Sequence, residues 1–174
     1  MDVGRGGDFS VYAKRFEWMI DELERSHEKD TMPVAGRTKG ILDKYGGYAN
    51  VDVIGVGAGV VDRLREQGCD ARAFNAGERT SKTDKSGELG FVDKRSAAWW
   101  NIREILADEE AGLPPDDKLI GDLTAPKWRV MSGGKIKVEN KDEIKKRLKR
   151  STDDGDAVIM AFDTEDVAVI LFGA

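Results

Sequence analysis

Three aspartates stand where a lone carboxylate is expensive. Asp52 interrupts the apolar run Val51-Asp52-Val53-Ile54. Asp156 runs straight into Ala157, Val158, Met160 and Ala161. Asp2 stands almost at the first residue, in what reads as the end of a strand. An ionised carboxylate in apolar surroundings is costly unless its charge is compensated. A divalent metal held jointly by Asp2, Asp52 and Asp156 would supply that compensation. Asp153 lies three residues before Asp156 and shares its helix face, which makes it a further ligand candidate. Two metal ions about 3.5–4 Å apart, bridged by carboxylate, can clamp a scissile phosphate. One activates water and the other stabilises the leaving oxygen, with no need for histidine. The plain alternative is that Asp153, Asp154 and Asp156 are first-turn acids complementing a helix dipole. That suits Asp153 and Asp154 better than Asp156.

Composition narrows the metal. One cysteine, Cys69, excludes an internal disulfide and a cysteine-rich zinc site. One histidine, His27, excludes a histidine-rich site. Oxygen ligands remain, which suit magnesium, manganese or calcium. The chain has 174 residues, 40% of them hydrophobic, enough for one domain with a real core. No apolar run approaches the roughly 18 residues of a membrane-spanning helix, and no leader-like apolar segment opens the chain. A reducing, cytoplasmic setting is the default.

The net charge of −5 argues against nucleic acid when taken alone. Its distribution argues otherwise. Lys135 to Arg150 holds eight basic residues against three acidic ones. Acids gather at Asp108 to Asp117 and Asp153 to Asp166. A basic face beside an acidic pocket is what a metal-dependent nuclease needs. An ordinary solvated helix would carry the same residues.

The elements that must position these groups follow from patterning. Phe9 to Phe16 reads as a strand, and Trp18 to Leu23 fits either a strand or a helix. A helix is expected from Thr31, as N-cap, to Tyr45, stopped by Gly46-Gly47. Tyr48 to Ile54 reads as a strand, Val60 to Gly68 as a helix, and Cys69 to Asn75 as a strand. This alternation indicates a βαβ-like unit with parallel pairing. Gly77 to Gly90, with Arg79, Lys82 and Lys85, reads as a mobile loop. Lys94 to Leu106 is the clearest helix, with Trp99 and Trp100 read as core. A short helix spans Asp116 to Leu123. Lys127 to Met131 and Lys135 to Val138 flank a Ser132-Gly133-Gly134 hairpin turn. Asn140 caps a basic helix, with Glu143 close to a capping box. Ser151 to Asp154 caps a last helix, Gly155 to Phe162, and Val167 to Phe172 reads as a closing strand.

Of two familiar nucleotide motifs, one fits poorly and the other is absent. Gly55-Val56-Gly57-Ala58-Gly59 brings its third glycine one residue early for a dinucleotide-binding fingerprint. No Walker A loop exists, so the chain carries no ATPase engine. His27 lies in a charged run and reads as exposed. Lys127, Arg129, Lys135 and Lys137 on the hairpin, with Lys82, are candidate DNA-backbone contacts, since lysine and arginine supply phosphate contacts on such ribbons. A plain solvent-exposed hairpin is the alternative.

These residues resemble a known family, the C-terminal nuclease domain of the large terminase subunit of tailed bacteriophages. The resemblance covers nearly the whole chain. It is most specific at Val51 to Leu64, where the run Val51-Asp52-Val53-Ile54-Gly55-Val56-Gly57-Ala58-Gly59 lies. Met1-Asp2-Val3-Gly4-Arg5-Gly6-Gly7-Asp8 is similar to the family's first-strand motif. Lys94-Arg95-Ser96-Ala97-Ala98-Trp99-Trp100 resembles the segment entering its long helix. Leu123 to Lys127, Gly134 to Glu139, and Ser151 to Ala157 also fit.

The resemblance implies an α/β, ribonuclease H-like fold: a mixed central sheet flanked by helices, residues 1–174 forming one nuclease domain. It implies a metal-dependent endonuclease cutting concatemeric viral DNA during genome packaging, with two Mg2+ or Mn2+ ions. Asp2 is then the first-strand ligand, Asp52 the second-strand ligand and Asp156 the last-helix ligand, with Asp153 and more weakly Asp8 as auxiliaries. The implied partners are double-stranded DNA, an ATPase motor domain of the same polypeptide, the portal and the small terminase subunit. No membrane is implied. The implied place of work is the host cytoplasm, at the procapsid portal. The missing motor implies an excised domain. A junction-resolving nuclease of the same fold, and a non-catalytic DNA-gripping or docking module, are the rival expectations.

Overall fold

The computed structural model describes residues 1–4, 9–28 and 30–164. Strands β1 (Ser10–Phe16) and β2 (Met19–Ser26) pair antiparallel, with a register shift between Ala13 and Arg15. The second apolar run is thus a strand, and longer than its pattern indicated. Helix α1 (Thr31–Tyr45) is capped by Asp30 rather than Thr31: an Asp30 carboxylate oxygen accepts from Met32 N at 3.0 Å. Aspartate outcompetes the threonine as cap because its charged oxygen also faces the positive helix end.

Strand β3 (Ala49–Asp52), helix α2 (Gly57–Glu66) and strand β4 (Ala71–Phe74) form the expected unit, with β3 and β4 parallel. The short segment Met1–Val3 joins this pair to the hairpin. Asp2 and Val11 exchange two backbone hydrogen bonds of 3.1 and 2.9 Å, antiparallel. On the other side the Met1 amine donates to Asn50 O at 2.7 Å and Asp52 N donates to Met1 O at 3.1 Å, the pattern of parallel neighbours. The result is a mixed sheet in the order β2, β1, Met1–Val3, β3, β4. It sets Asp2 and Asp52 on adjoining strands.

Both faces of this sheet are covered. On one, Val34 and Ala35 of α1 and Val60, Val61 and Leu64 of α2 pack with Tyr12, Val51 and Ala71. On the other lie helices α3 (Lys94–Ala107), α4 (Asp117–Thr124) and α6 (Asp153–Ala161), with Ile20, Phe74, Trp99, Ile102, Leu119 and Val158 in one cluster. Each such aliphatic or aromatic side chain contributes about 1.5–3 kcal/mol when fully buried. A second, three-stranded sheet runs β5 (Gly90–Phe91), β7 (Lys135–Val138), β6 (Trp128–Met131), with α5 (Lys141–Leu148) following it.

Two glycines set close approaches that the site depends on. A Cβ on Gly57 would lie 1.7 Å from Asp52 O, so the glycine brings the start of α2 against the end of β3. A Cβ on Gly155 would lie 2.7 Å from the Trp99 ring and 3.1 Å from Asp122 Cβ, so α6 reaches α3 and α4 only without a side chain there. Within the glycine-rich run after Asp52, close packing requires Gly57 and a positive φ of 103° favours Gly55.

Within the expected loop at 77–90, Asp84 accepts from Leu89 N at 2.9 Å and Thr83 bridges Gly90, so residues 83–90 form a tied turn. Asp8 and Val167 to Phe172 lie outside the described residues. Among the described residues no helix is long and apolar enough to cross a membrane.

Candidate metal centre

The fold gathers four carboxylates from three separate segments: the first residues, the end of β3 and the start of α6. Asp2, Asp153 and Asp156 each offer an oxygen within 4.8 Å of the others. Asp52 stands outside that tight group but shares with Asp156 the wall of one cavity of about 290 Å³, which Arg95, Asn140 and Lys141 also line. All four proposed ligands thus come to one place, and Asp153 belongs to the tight group rather than its margin. Asp2 and Asp156 are 5% and 7% exposed, so the cost of burying charge is real here.

What meets that cost is Lys141, at the first turn of α5. Its Nζ lies 3.1 Å from Asp2 Oδ2, 3.0 Å from Asp153 Oδ1 and 3.1 Å from Asp156 Oδ2. The ammonium stands among three carboxylates, where a bound cation would also stand. The sequence reading missed it, because Lys141 is one of eight basic residues in a run and nothing local distinguishes it.

The protonation balance shows strain. Burial pushes Asp2 up to about 7, with Asp156 and Asp153 pushing the same way, and Lys141 offsets only part of this. Asp52 is also raised, first by burial and then by Asp156, against the opposing effects of the Ile54 N–H and Lys141. Asp153 goes the other way. Burial would raise it, but Lys141 and the Ser151 hydroxyl outweigh that and hold it below the usual carboxylate range. Lys141 is raised, its own burial being outweighed by the three acids. Crowded, partly uncompensated, all-oxygen ligands of this kind fit a hard divalent cation such as Mg2+ or Mn2+.

A buried ion network fixes the helix that carries two of these acids. Asp154 is fully buried; it accepts from Arg25 Nε at 3.1 Å and Nη2 at 2.7 Å, and pairs with Lys118 Nζ at 2.8 Å. Asp122, also fully buried, accepts from Gly155 N at 3.2 Å and pairs with Arg150. Thr152 Oγ1 donates to Asp156 Oδ2 at 3.0 Å. Asp154 is therefore not a solvent-facing first-turn acid. It anchors α6, the helix whose Asp153 and Asp156 meet Asp2 and Lys141.

The candidate DNA contacts separate into two groups. Register places Arg129 directly across from Lys137, with Lys135 on the same hairpin face; Trp128 and Val130 point to the other. Lys127, Arg129 and Lys135 are exposed and Lys137 half-buried. Asn140 and the hairpin residues Lys127, Arg129 and Lys137 line a neighbouring groove, so Asn140 borders both groove and metal cavity. Lys82 lies elsewhere in its bonding: its Nζ donates to Asp163 Oδ1 at 2.9 Å and to Thr164 O at 3.2 Å. Trp99 and Trp100 are core, as expected, and His27 is exposed.

Sheet order and flanking helices together define a ribonuclease H-like fold. The solved structures with this fold include the nuclease domain of the large terminase subunit gp2 of bacterial virus Sf6, at a TM-score of 0.78 and 20% identity over 94% of this chain and 86% of that one. The large terminase nuclease from thermophilic phage G20c matches at 0.65 and 16%, over 95% and 80%. The nuclease domain of Thermus phage P74-26 large terminase matches at 0.62 and 16%, over 92% and 75%. Structures of the Sf6 and G20c domains contain manganese and magnesium respectively. No family model and no curated protein sequence matches the chain.

Proposed function

We propose that this chain is the metal-dependent DNA endonuclease of a phage packaging machine, cutting concatemeric viral DNA by two-metal phosphodiester hydrolysis. One observation carries the reading. Asp2, Asp153 and Asp156 form one tight carboxylate group, and Asp156 shares a cavity with Asp52, on a fold like that of the terminase nuclease domains.

Asp2, Asp153 and Asp156 would hold the first ion and Asp52 with Asp156 the second. Bound divalent ions supply an activated water and a charge against the leaving oxygen. The chain's own residues do the rest. The Thr152 hydroxyl and the buried Asp154 and Asp122 networks keep the carboxylates aimed. Arg129, Lys135 and Lys137 take backbone phosphates, which carry no base information, so cutting is of low sequence specificity. Lys141 must yield its three carboxylates as the ions enter. The reading places the chain beside an ATPase motor of the same polypeptide, at the procapsid portal in the host cytoplasm, with portal and small terminase subunit as partners.

Supercoiled plasmid incubated with Mg2+, Mn2+ or chelator tests this. Nicking and linearisation are expected with metal only, and Asp156→Asn or Asp52→Asn is expected to abolish both while the fold survives. Wild-type nicking by either variant overturns the assignment. Lys141 favours one second reading, a DNA-gripping module whose acids are already neutralised; it predicts salt-sensitive binding without cutting. A preference for four-way junctions over linear duplex would favour a junction-resolving nuclease.

A further inference from the structure

We infer that Arg95 is a phosphate-binding residue of this cavity, its free guanidinium edge meeting a non-bridging oxygen of the phosphodiester being cut. The inference rests on the nuclease reading above. Arg95 occupies the first turn of α3, beside Lys94. Cations there oppose the helix dipole, so the position is unfavourable for an arginine that only fills space. Its Nη1 donates to Glu139 O at 2.8 Å, and its plane packs on Trp99 with 5.4 Å to the ring centroid. The head group is thereby held in place.

Nη2 is left over. It is buried and has no hydrogen-bond acceptor among the described residues. The nearest charge is Asp156 Oδ1 at 3.6 Å, close enough for attraction but beyond hydrogen-bond reach. Burying a donor without an acceptor is costly, because the water it gave up is not replaced. The cavity it lines is the one that holds Asp52 and Asp156. An anionic oxygen entering that cavity would satisfy it, and guanidinium is the side chain best matched to phosphate oxygens. Helix α3 contributes its positive end to the same corner. Asp156 cannot be the intended partner throughout, because a divalent ion would take its charge.

The two roles open to Arg95 differ in sign. A cation that only neutralises the acids competes with metal, so its loss should tighten metal binding and spare cutting. A phosphate contact spares metal binding and its loss harms the handling of DNA. The test uses the whole chain with Arg95→Gln and Arg95→Lys. Three readouts are needed: thermal stabilisation by Mn2+, binding of a short labelled duplex in Ca2+, and Mn2+-dependent nicking.

For Arg95→Gln the expected result is Mn2+ stabilisation equal to or above wild type, duplex affinity down about tenfold, and nicking down roughly 10²–10³-fold, as when a charge-stabilising donor is removed. Arg95→Lys keeps the charge without the fork and is expected to fall between the two; it carries the test if the glutamine variant fails to fold. Wild-type duplex binding and nicking by Arg95→Gln overturn the inference, as does a loss of Mn2+ stabilisation that accounts for the lost cutting. If the wild-type chain cuts nothing, the nuclease reading fails separately. Duplex affinity then decides for Arg95 alone: a fall supports the contact and no change overturns it.

Discussion

Lys141 Nζ and Asp156 Oδ2 lie 3.1 Å apart in the middle of an acidic group that also takes in Asp2 and Asp153. One tethered monovalent charge thus faces three carboxylates, those of Asp2 and Asp156 buried and that of Asp153 half-buried. A divalent ion would balance them better, and lysine and metal compete for the same oxygens. Lys141→Ala is therefore expected to destabilise the metal-free protein. Breaking a fully buried pair costs about 3–5 kcal/mol, and because the Lys141 side chain is 36% exposed the expected loss is about 1–3. The same variant should gain more than wild type in Tm on adding Mn2+. Thermal melts with and without metal check both signs.

The raised Asp2 carboxyl makes stability fall as pH rises. Its folded value is about 7 against an ordinary 3.8, so between those values the native state holds a proton that the unfolded chain has released. Stability then declines with pH across that window. Metal-free melts from pH 4 to pH 6 should show the decline, below the range where the buried Met1 amine, lowered to about 6, acts in the opposite sense, and Asp2→Asn should flatten it. Proton and metal compete for the same oxygen, so Mn2+ should stabilise more at pH 8 than at pH 6.

The hairpin face sets like charges opposite one another, Arg129 across from Lys137. Such a pair is mildly unfavourable without an anion. Arg129→Gln with Lys137→Gln should leave the melting temperature unchanged or slightly higher. It should weaken duplex binding and reduce the salt slope by about 2, one for each lost phosphate contact. Binding titrations at several salt concentrations measure this.

Gly155→Ala puts a methyl into the Trp99 ring at 2.7 Å. Overpacking of this kind typically costs 1–3 kcal/mol. Because Gly155 sits between Asp153 and Asp156, the variant should lose metal affinity as well as stability. Chemical denaturation and metal titration together would register it.

Much of this was legible in the sequence, for identifiable reasons. Asp52 and Asp156 were visible because carboxylates in apolar runs are rare and costly. The parallel β3–β4 unit was visible because strand and helix periods alternate there. The function of Asp154 was not, since a first-turn acid and a buried ion partner of Arg25, 129 positions away, look alike in a linear chain. Lys141 was hidden for the same reason, and so was Arg95, one residue of a family-like segment. Residues whose role depends on one distant partner leave no local period. Asp30 displaced Thr31 as cap because two adjacent residues of suitable type cannot be ranked without knowing where the helix turns.

The central claim is that these distant carboxylates exist to hold divalent ions. Anomalous scattering from crystals of the protein soaked in Mn2+ tests it most directly. The account predicts anomalous peaks bounded by the carboxylates of Asp2, Asp52, Asp153 and Asp156, with the Lys141 ammonium moved away from them. Lys141 still seated among the acids at saturating Mn2+, with no peak in the cavity, would contradict it.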